Sequence, residues 1–303
     1  LSLHDALPIW KRKLHQNAMH FRIGVQRFHQ RQQIGFRGVG GQAVLASPSV
    51  LESQGGRLGI AMPGPDKLIA EGTYDQPYGI PNYRATGYRT PALLPIASWR
   101  SVGNSYNGFF MECFMDELAA QAGTDPMKLR LSLINHESSR KVLMAVAEMS
   151  NWDKPLPKGR GRGVAFHLSF GVPTAEVVEV SITKAGVRID QVFVAADVGT
   201  ALDPRNIESQ LQSGVIFGLS AAMFGEITFA NGAVEQTNFH QYEAVRMGQS
   251  PKIHVRVLEG GGPIRGVGEP GTPPAAPALA NAIFNATGKR IRELPLRKHI
   301  DFV

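Results

Sequence analysis

Cysteine is nearly missing from this 303-residue sequence, in which Cys113 is the single thiol. One thiol cannot form an internal disulfide, and it cannot supply the several thiolates of a cysteine-ligated zinc or iron–sulfur site. The sequence also lacks an apolar run of the roughly 20 residues that a membrane-spanning helix needs. Redox chemistry in such a chain would therefore require metals held by other ligands or by another subunit.

Acidic residues are nearly missing from the first 50 positions, where Asp5 is the one acid beside seven basic residues (Lys11, Arg12, Lys13, Arg22, Arg27, Arg31 and Arg37). A basic arm can bind nucleic acid or another acidic surface. This stretch also lacks sustained helical or strand periodicity. We therefore expect residues 1–66 to be an unassigned basic segment, artefactual or disordered, with no nucleic-acid partner. The folded domain is expected over residues 67–303.

The remaining composition is typical of a globular protein. Hydrophobic residues make up 43% of the chain, and 33 glycines and 20 prolines indicate many loops. A chain of this length can bury a sizeable core.

Five segments carry the signals of helices. Residues 104–123 predict an amphipathic helix with apolar side chains at intervals of four, at Phe110, Phe114, Leu118 and Ala122. Thr124 or Asp125 is expected to cap a second helix that has Pro126 in its first turn. A third helix is expected over about 139–149.

The last two helices are predicted over 203–225, with Asp203 as N-cap, and over 272–288, with Thr272 as cap and Gly288 as stop. Extended chain is expected over 73–90, and strands over 161–171, 175–183, 187–197 and 252–259. A hairpin is expected around Asn231-Gly232. Because helices and strands come in mixed runs without a βαβ alternation, the predicted class is α+β.

Glu269 is the single charge in "GVGEPGTPP" (266–274), between glycines and prolines ahead of the last helix. A helix N-terminus presents N–H groups and a positive dipole end that suit an anionic group. Glycines let backbone approach a bulky ligand closely. On these residues alone, a solvated turn acid is the favoured interpretation of Glu269.

Four stretches give this acid a context, and they occur in a fixed order. They are "ASWRSVGNSYNGFFMECFMDELAAQAGTDPMKLR" (97–130), "GVAFHLSFG" (163–171), "DVGTALDPRNIESQLQSGVIFGL" (197–219) and "GVGEPGTPPAAPALANAIFNATGKRIRELPL" (266–296). Together they resemble the molybdenum-cofactor-binding subunits of the xanthine dehydrogenase and aldehyde oxidase family. Within that family, the spacing and "GEITFANGAVEQTNF" (225–239) most closely resemble the isoquinoline 1-oxidoreductase β subunits. The implied fold is the C-terminal part of the family's α+β molybdenum-cofactor-binding domain.

The resemblance also implies residue roles. Glu269 is similar to the family's catalytic base. The cofactor contacts would come from Arg100, Ser101, Val102, Gly103, Gln210 and Gly268, and no protein side chain would ligate the molybdenum. Phe170 and Val102 would contact a flat substrate, although many relatives carry an aromatic residue where this chain has Val102. His167 is interpreted as structural.

The resemblance further implies molybdenum–molybdopterin in its cytosine dinucleotide form, and no iron–sulfur cluster in this chain. An N-heteroaromatic compound or an aldehyde would be oxidised with water-derived oxygen. Electrons would pass to a small [2Fe–2S] ferredoxin-like subunit, and no membrane span is expected. The long N-terminal half of such subunits, with its Gly-Gln-Gly cofactor loop, has no counterpart before residue 70. We therefore expect a fragment whose missing half is a further partner.

Other interpretations stay open from the residues alone. The chain could be a non-catalytic remnant or interaction module that keeps the fold without cofactor, or a nucleic-acid binder that uses the basic arm. Arg100 could be a surface arginine paired with an acid, Phe170 a core residue and Gln210 a helix-surface residue.

Overall fold

The computed structural model describes residues 67–81, 83–89 and 98–303, together with five short strands between residues 21 and 47. Those strands are β1 (Phe21–Arg22), β2 (Gln26–Phe28), β3 (Gln32–Ile34), β4 (Arg37–Gly38) and β5 (Gln42–Ser47). A sixth strand, β6 (Arg84–Arg89), pairs in parallel with β5. Strands of two to six residues are too short to produce the periodicity that the sequence lacks there. The boundary between residues 66 and 67 stays a prediction.

The helices are α1 (Lys67–Ala70), α2 (Val102–Ala122), α3 (Pro126–Leu133), α4 (Glu137–Met149), α5 (Pro204–Phe224) and α6 (Ala275–Thr287). The main strands are β7 (Arg160–Ser169), β8 (Val172–Thr183), β9 (Gly186–Asp197) and β12 (Lys252–Leu258). A small hairpin joins β10 (Phe229–Ala230) to β11 (Ala233–Val234) through Asn231-Gly232, as predicted. Within the described ranges, no helix is long and apolar enough to span a bilayer.

The main sheet has the order β12-β9-β8-β7. Strands β7, β8 and β9 are antiparallel neighbours, whereas β12 runs parallel to β9 from Lys252 opposite Gln191 to Leu258 opposite Asp197. Because α5 lies between these two parallel strands in the chain, the fold contains a β-α-β crossover. The sequence shows no repeated βαβ alternation because this single crossover also carries the β10–β11 hairpin between α5 and β12.

Helices cover both faces of the sheet. One face packs with α2, α5 and α6 in a cluster that includes Val178, Val194 and Leu279. The other face packs against α4, with Phe166 and Val142 in that cluster. Since both faces are buried, the central parts of β7, β8 and β9 carry apolar runs, whereas the edge strand β12 alternates polar and apolar residues.

Helix α2 occupies the centre of this arrangement. Most of its residues between Gly103 and Ala119 are buried. The buried residues include five polar ones (Asn104, Asn107, Glu112, Asp116 and Glu117). The predicted apolar row is buried only at Phe110, and its last member, Ala122, is exposed. The expectation of an amphipathic helix is therefore wrong. The polar residues are buried because they bond to other buried groups.

Helix ends agree with the sequence at most positions. Asp125 and Asp203 cap α3 and α5 by accepting hydrogen bonds from backbone N–H groups, and a proline follows each. Gly288 ends α6 in the left-handed conformation. Thr272 does not cap α6, which begins at Ala275 after Pro274. The N–H of Thr272 donates to the Glu269 carbonyl at 2.9 Å, so Thr272 belongs to a turn that precedes the helix.

Candidate active site

The loop that starts α2 meets the loop that precedes α6, and Glu269 lies at their junction. The Ser101 N–H donates to Glu269 Oε1 at 2.9 Å, and the Ser101 hydroxyl donates to the Glu269 carbonyl at 2.8 Å. Ser101 is fully buried and Glu269 is half-buried. The structure thus brings together two segments that are 168 residues apart.

Arg100 ties this junction to α5. Its Nε donates to the Gly268 carbonyl at 2.8 Å, Nη2 donates to the same oxygen, and Nη1 donates to the Ser213 hydroxyl at 3.0 Å. The Gln210 carbonyl and side-chain oxygens lie 3.5 Å from Nη2. The guanidinium therefore fixes the Gly268 backbone, and a direct contact of Arg100 with cofactor stays a prediction.

Two partly exposed aromatic residues pack beside Arg100. Trp99 and Phe217 have ring centroids 4.8 Å apart, and the guanidinium carbon lies 5.4 Å from the Phe217 centroid. A cation over an aromatic face is attracted to it. Partial burial lowers the pKa of Arg100, and the nearby Glu269 charge opposes that shift.

The backbone of this loop is strained. Ser101 has a φ of 69° and Val102 a φ of 40°, both in the left-handed region. That region is unusual for any residue with a Cβ and especially for a β-branched one. Each such residue costs of order 1–3 kcal/mol and persists only when its surroundings fix it. The contacts of Arg100 and Ser101 supply that fixing here.

Phe170 lies at the tip of the β7–β8 hairpin. Phe170 and Gly171 have φ values of 52° and 75°, the pattern of a type I′ turn. The Phe170 side chain is 42% exposed, so it is not a core residue. The Arg265 guanidinium lies close against Gly171, which brings the hairpin tip to the segment just before Glu269. A substrate contact for Phe170 or Val102 stays a prediction.

Three polar residues extend the site inward, and no sequence signal marked them as part of it. The Glu71 carboxyl lies near the Gly103 backbone and the Asn104 side chain. His167 Nε2 lies 2.8 Å from Asn104 Oδ1. Burial, then Asp75 and also Glu269, raise the pKa of Glu71. Glu71 was missed because "AEGTYD" looks like an ordinary turn in the sequence.

Comparisons with known proteins bear on this site. Residues 111–251 match the model of the "Molybdopterin cofactor-binding domain". The chain is 32% identical over 227 residues to the β subunit of isoquinoline 1-oxidoreductase from Brevundimonas diminuta, covering 73% of this chain and 29% of that protein. It is 31% identical to a nicotinate dehydrogenase subunit of Pseudomonas putida, covering 73% of this chain and 20% of that protein.

The chain carries a molybdopterin cofactor-binding domain of the xanthine dehydrogenase and aldehyde oxidase family. Solved structures agree on the fold. Quinoline 2-oxidoreductase from Pseudomonas putida 86 superposes with a TM-score of 0.67 at 12% identity, over 88% of this chain and 60% of that one. Aldehyde oxidoreductase from Desulfovibrio desulfuricans gives 0.66 at 15% identity, over 86% of this chain and 47% of that one. The predicted family and fold class are confirmed.

The junction suits the cofactor of this domain. Gly266 and Gly268 are exposed, a Cβ at residue 266 would meet no atom within 4 Å, and one at residue 268 would meet only Gln210 Oε1 at 3.8 Å. Backbone is therefore open to a bulky group beside the Gln210 amide and the Ser213 hydroxyl. Such donors and acceptors fit the polar edge of a pterin or a phosphate. In the described ranges, no three His, Cys, Asp or Glu side chains group as metal ligands.

Proposed function

We propose that this chain contributes part of the active site of a molybdenum hydroxylase, with Glu269 as the general base. The observation that carries the proposal is the position of Glu269, which the buried Ser101 N–H holds at 2.9 Å beside the open Gly266–Gly268 backbone. The family is known to consist of molybdenum oxidoreductases. The chain spans less than a third of the curated relatives it matches, so the activity is proposed for the whole protein.

A molybdenum cofactor, when bound, supplies the two-electron redox chemistry of substrate oxidation. The residues of this chain would hold it and move one proton. Gln210 and the Ser101–Gly103 segment would line it, and Arg100 would keep the Gly268 backbone in position for it. Glu269 Oε1 is engaged by Ser101, whereas Oε2 has no hydrogen-bond partner among the described residues. Oε2 is therefore the atom that would take the proton.

The proposed substrate is an N-heteroaromatic compound or an aldehyde. The curated relatives named for isoquinoline and nicotinate support the first class, and a 30% identical aldehyde dehydrogenase of Gluconacetobacter polyoxogenes supports the second. Phe170 would provide an apolar face for a flat ring. We further propose the cytosine dinucleotide form of the cofactor, with electrons accepted by a separate [2Fe–2S] subunit. The buried Cys113 is the one thiol of this chain and cannot ligate such clusters.

The proposal is tested by metal analysis and isotope labelling of the full-length protein that contains this segment. We expect molybdenum and pterin in a fixed ratio to protein, and oxygen from ¹⁸O-labelled water in the oxidised heterocycle or acid. A folded protein that retains no molybdenum would instead indicate a non-catalytic remnant. Incorporation of oxygen from O₂ would contradict the hydroxylase proposal.

A further inference from the structure

Glu176 is a buried carboxyl group without an ionic partner. It has no exposed surface, and neither of its carboxyl oxygens has a hydrogen-bond partner in the part of the chain that the structure describes. In β8 it lies opposite Ala165 of β7 and Val194 of β9. A lone ionised carboxylate in such surroundings is very costly, so the group is expected to be neutral. Burial alone raises its pKa well above the ordinary value.

Three more polar groups on the same sheet face share this situation, and Ser169 Oγ is one of them. Thr174 precedes Glu176 by two residues and therefore points to the same face. Its cross-strand partner is His167. Both residues are fully buried, and Thr174 Oγ1 and His167 Nδ1 also have no hydrogen-bond partner in the described ranges. Buried polar atoms of this kind are normally satisfied by internal water, which binds about three such groups at once.

The direction of the hydrogen bonds fixes which of these groups must donate. Asn104 Oδ1 is the atom that faces His167 Nε2, at 2.8 Å. His167 Nε2 must then carry the proton and donate to Asn104, which leaves Nδ1 as an acceptor. Burial lowers the pKa of His167 to about 3, so the ring is neutral. The donors on this face are the hydroxyls of Thr174 and Ser169 and a protonated Glu176.

No other charge offers an alternative explanation among the described residues. Helix α6 has no titratable residue between Ala275 and Thr287, and Cys113 of α2 belongs to the same apolar cluster. The acids of α2 are paired with arginines (Glu112, Asp116 and Glu117). On α5, Arg205 and Glu208 are exposed.

We propose that Glu176, Thr174 and His167 form an internal water-binding site in which Glu176 is a protonated hydrogen-bond donor. Through His167, this site orients Asn104 in the first turn of α2, close to the Ser101–Glu269 contact. Glu176 is thus a positioning residue, and the inference does not depend on the proposed function.

Infrared spectroscopy of the full-length protein at pH 8 tests the protonation state. We expect a C=O absorption of a neutral carboxylic acid that is absent in Glu176→Gln and retained in Glu71→Gln. The second variant is the matched control, because Glu71 is a carboxyl near Asn104 whose pKa is also raised by burial. No neutral carboxyl absorption in the wild type, or its persistence in Glu176→Gln, would overturn the proposal.

Unfolding equilibria provide a second readout. The folded state keeps the Glu176 proton above the ordinary pKa of about 4.5, whereas the unfolded state loses it there. Wild-type stability relative to Glu176→Gln should therefore fall about tenfold in equilibrium constant per pH unit as the pH rises from 4.5 towards the folded-state pKa. If the ratio of the unfolding equilibrium constants of the wild type and Glu176→Gln does not change with pH, Glu176 is ionised in the folded state. If Glu176→Gln does not fold, Glu176→Asp, which keeps a carboxyl group, should shift the absorption, whereas Glu71→Gln should leave it in place.

Discussion

Glu112 and Glu269 share one kind of hydrogen bond but differ in burial and in their number of partners. Each accepts a backbone N–H at 2.9 Å, Glu112 from Phe166 and Glu269 from Ser101. Glu112 is 1% exposed and also accepts from Arg130 at 2.7 Å and from Tyr78 at 2.6 Å. Glu269 is half-buried at a loop junction and has an oxygen without a hydrogen-bond partner among the described residues.

The difference separates a structural acid from one that is available for chemistry. Both oxygens of the Glu112 carboxylate accept hydrogen bonds from neighbouring segments, so this side chain holds α2, α3 and β7 together. Glu269 is held by one oxygen and keeps the other for a ligand or a proton. The strained backbone at Ser101 and Val102 belongs to the loop that binds Glu269. Such strain clusters at functional sites.

The largest effect is expected when the structural acid is changed. Glu112→Gln keeps the size of the side chain but leaves the fully buried Arg130 charge without its counterion. Removing one partner of a buried pair typically costs about 3–5 kcal/mol. Denaturant unfolding should show a loss of this order. The matched control is Glu137→Gln, which breaks the exposed Glu137–Lys141 pair and should leave the midpoint nearly unchanged. Equal effects of the two changes would contradict the structural role of Glu112.

A smaller effect of opposite sign is expected at Val102. Glycine adopts a φ of 40° without the steric cost that valine has, so Val102→Gly should stabilise the fold by about 1 kcal/mol or less. Met144→Gly is the control, since Met144 is exposed within α4 and has ordinary helical geometry. That change should cost about 1 kcal/mol. A similar loss of stability in Val102→Gly and Met144→Gly, measured by thermal unfolding, would show that Val102 is not strained.

The sequence predicted the helix and strand positions well where the signals are local. Asp125 with Pro126 and Asp203 with Pro204 mark helix starts, because capping depends on neighbours in the chain. Asn231-Gly232 marks a turn for the same reason.

Features that depend on distant residues could not be predicted in this way. The burial of α2 follows from the Glu112–Arg130 pair and from the helices around it, which no local pattern contains. The parallel pairing of β12 with β9 depends on a crossover of the chain. At the site, the resemblance implied roles for Glu269 and the 100–103 loop, but the contact of His167 with Asn104 needed the folded structure.

The most direct test of the account is turnover per bound molybdenum in Glu269→Gln of the full-length, cofactor-loaded protein. Glutamine can still accept from the Ser101 N–H but cannot take a proton, so turnover should fall about 10²- to 10⁴-fold. Stability and molybdenum content should stay close to those of the wild type. Glu259→Gln is the matched control, because Glu259 likewise accepts a backbone N–H, from Ala201 at 3.0 Å, and should keep its turnover. Turnover per molybdenum close to the wild-type value in Glu269→Gln, together with lost stability, would make Glu269 a structural acid like Glu112 and contradict the account.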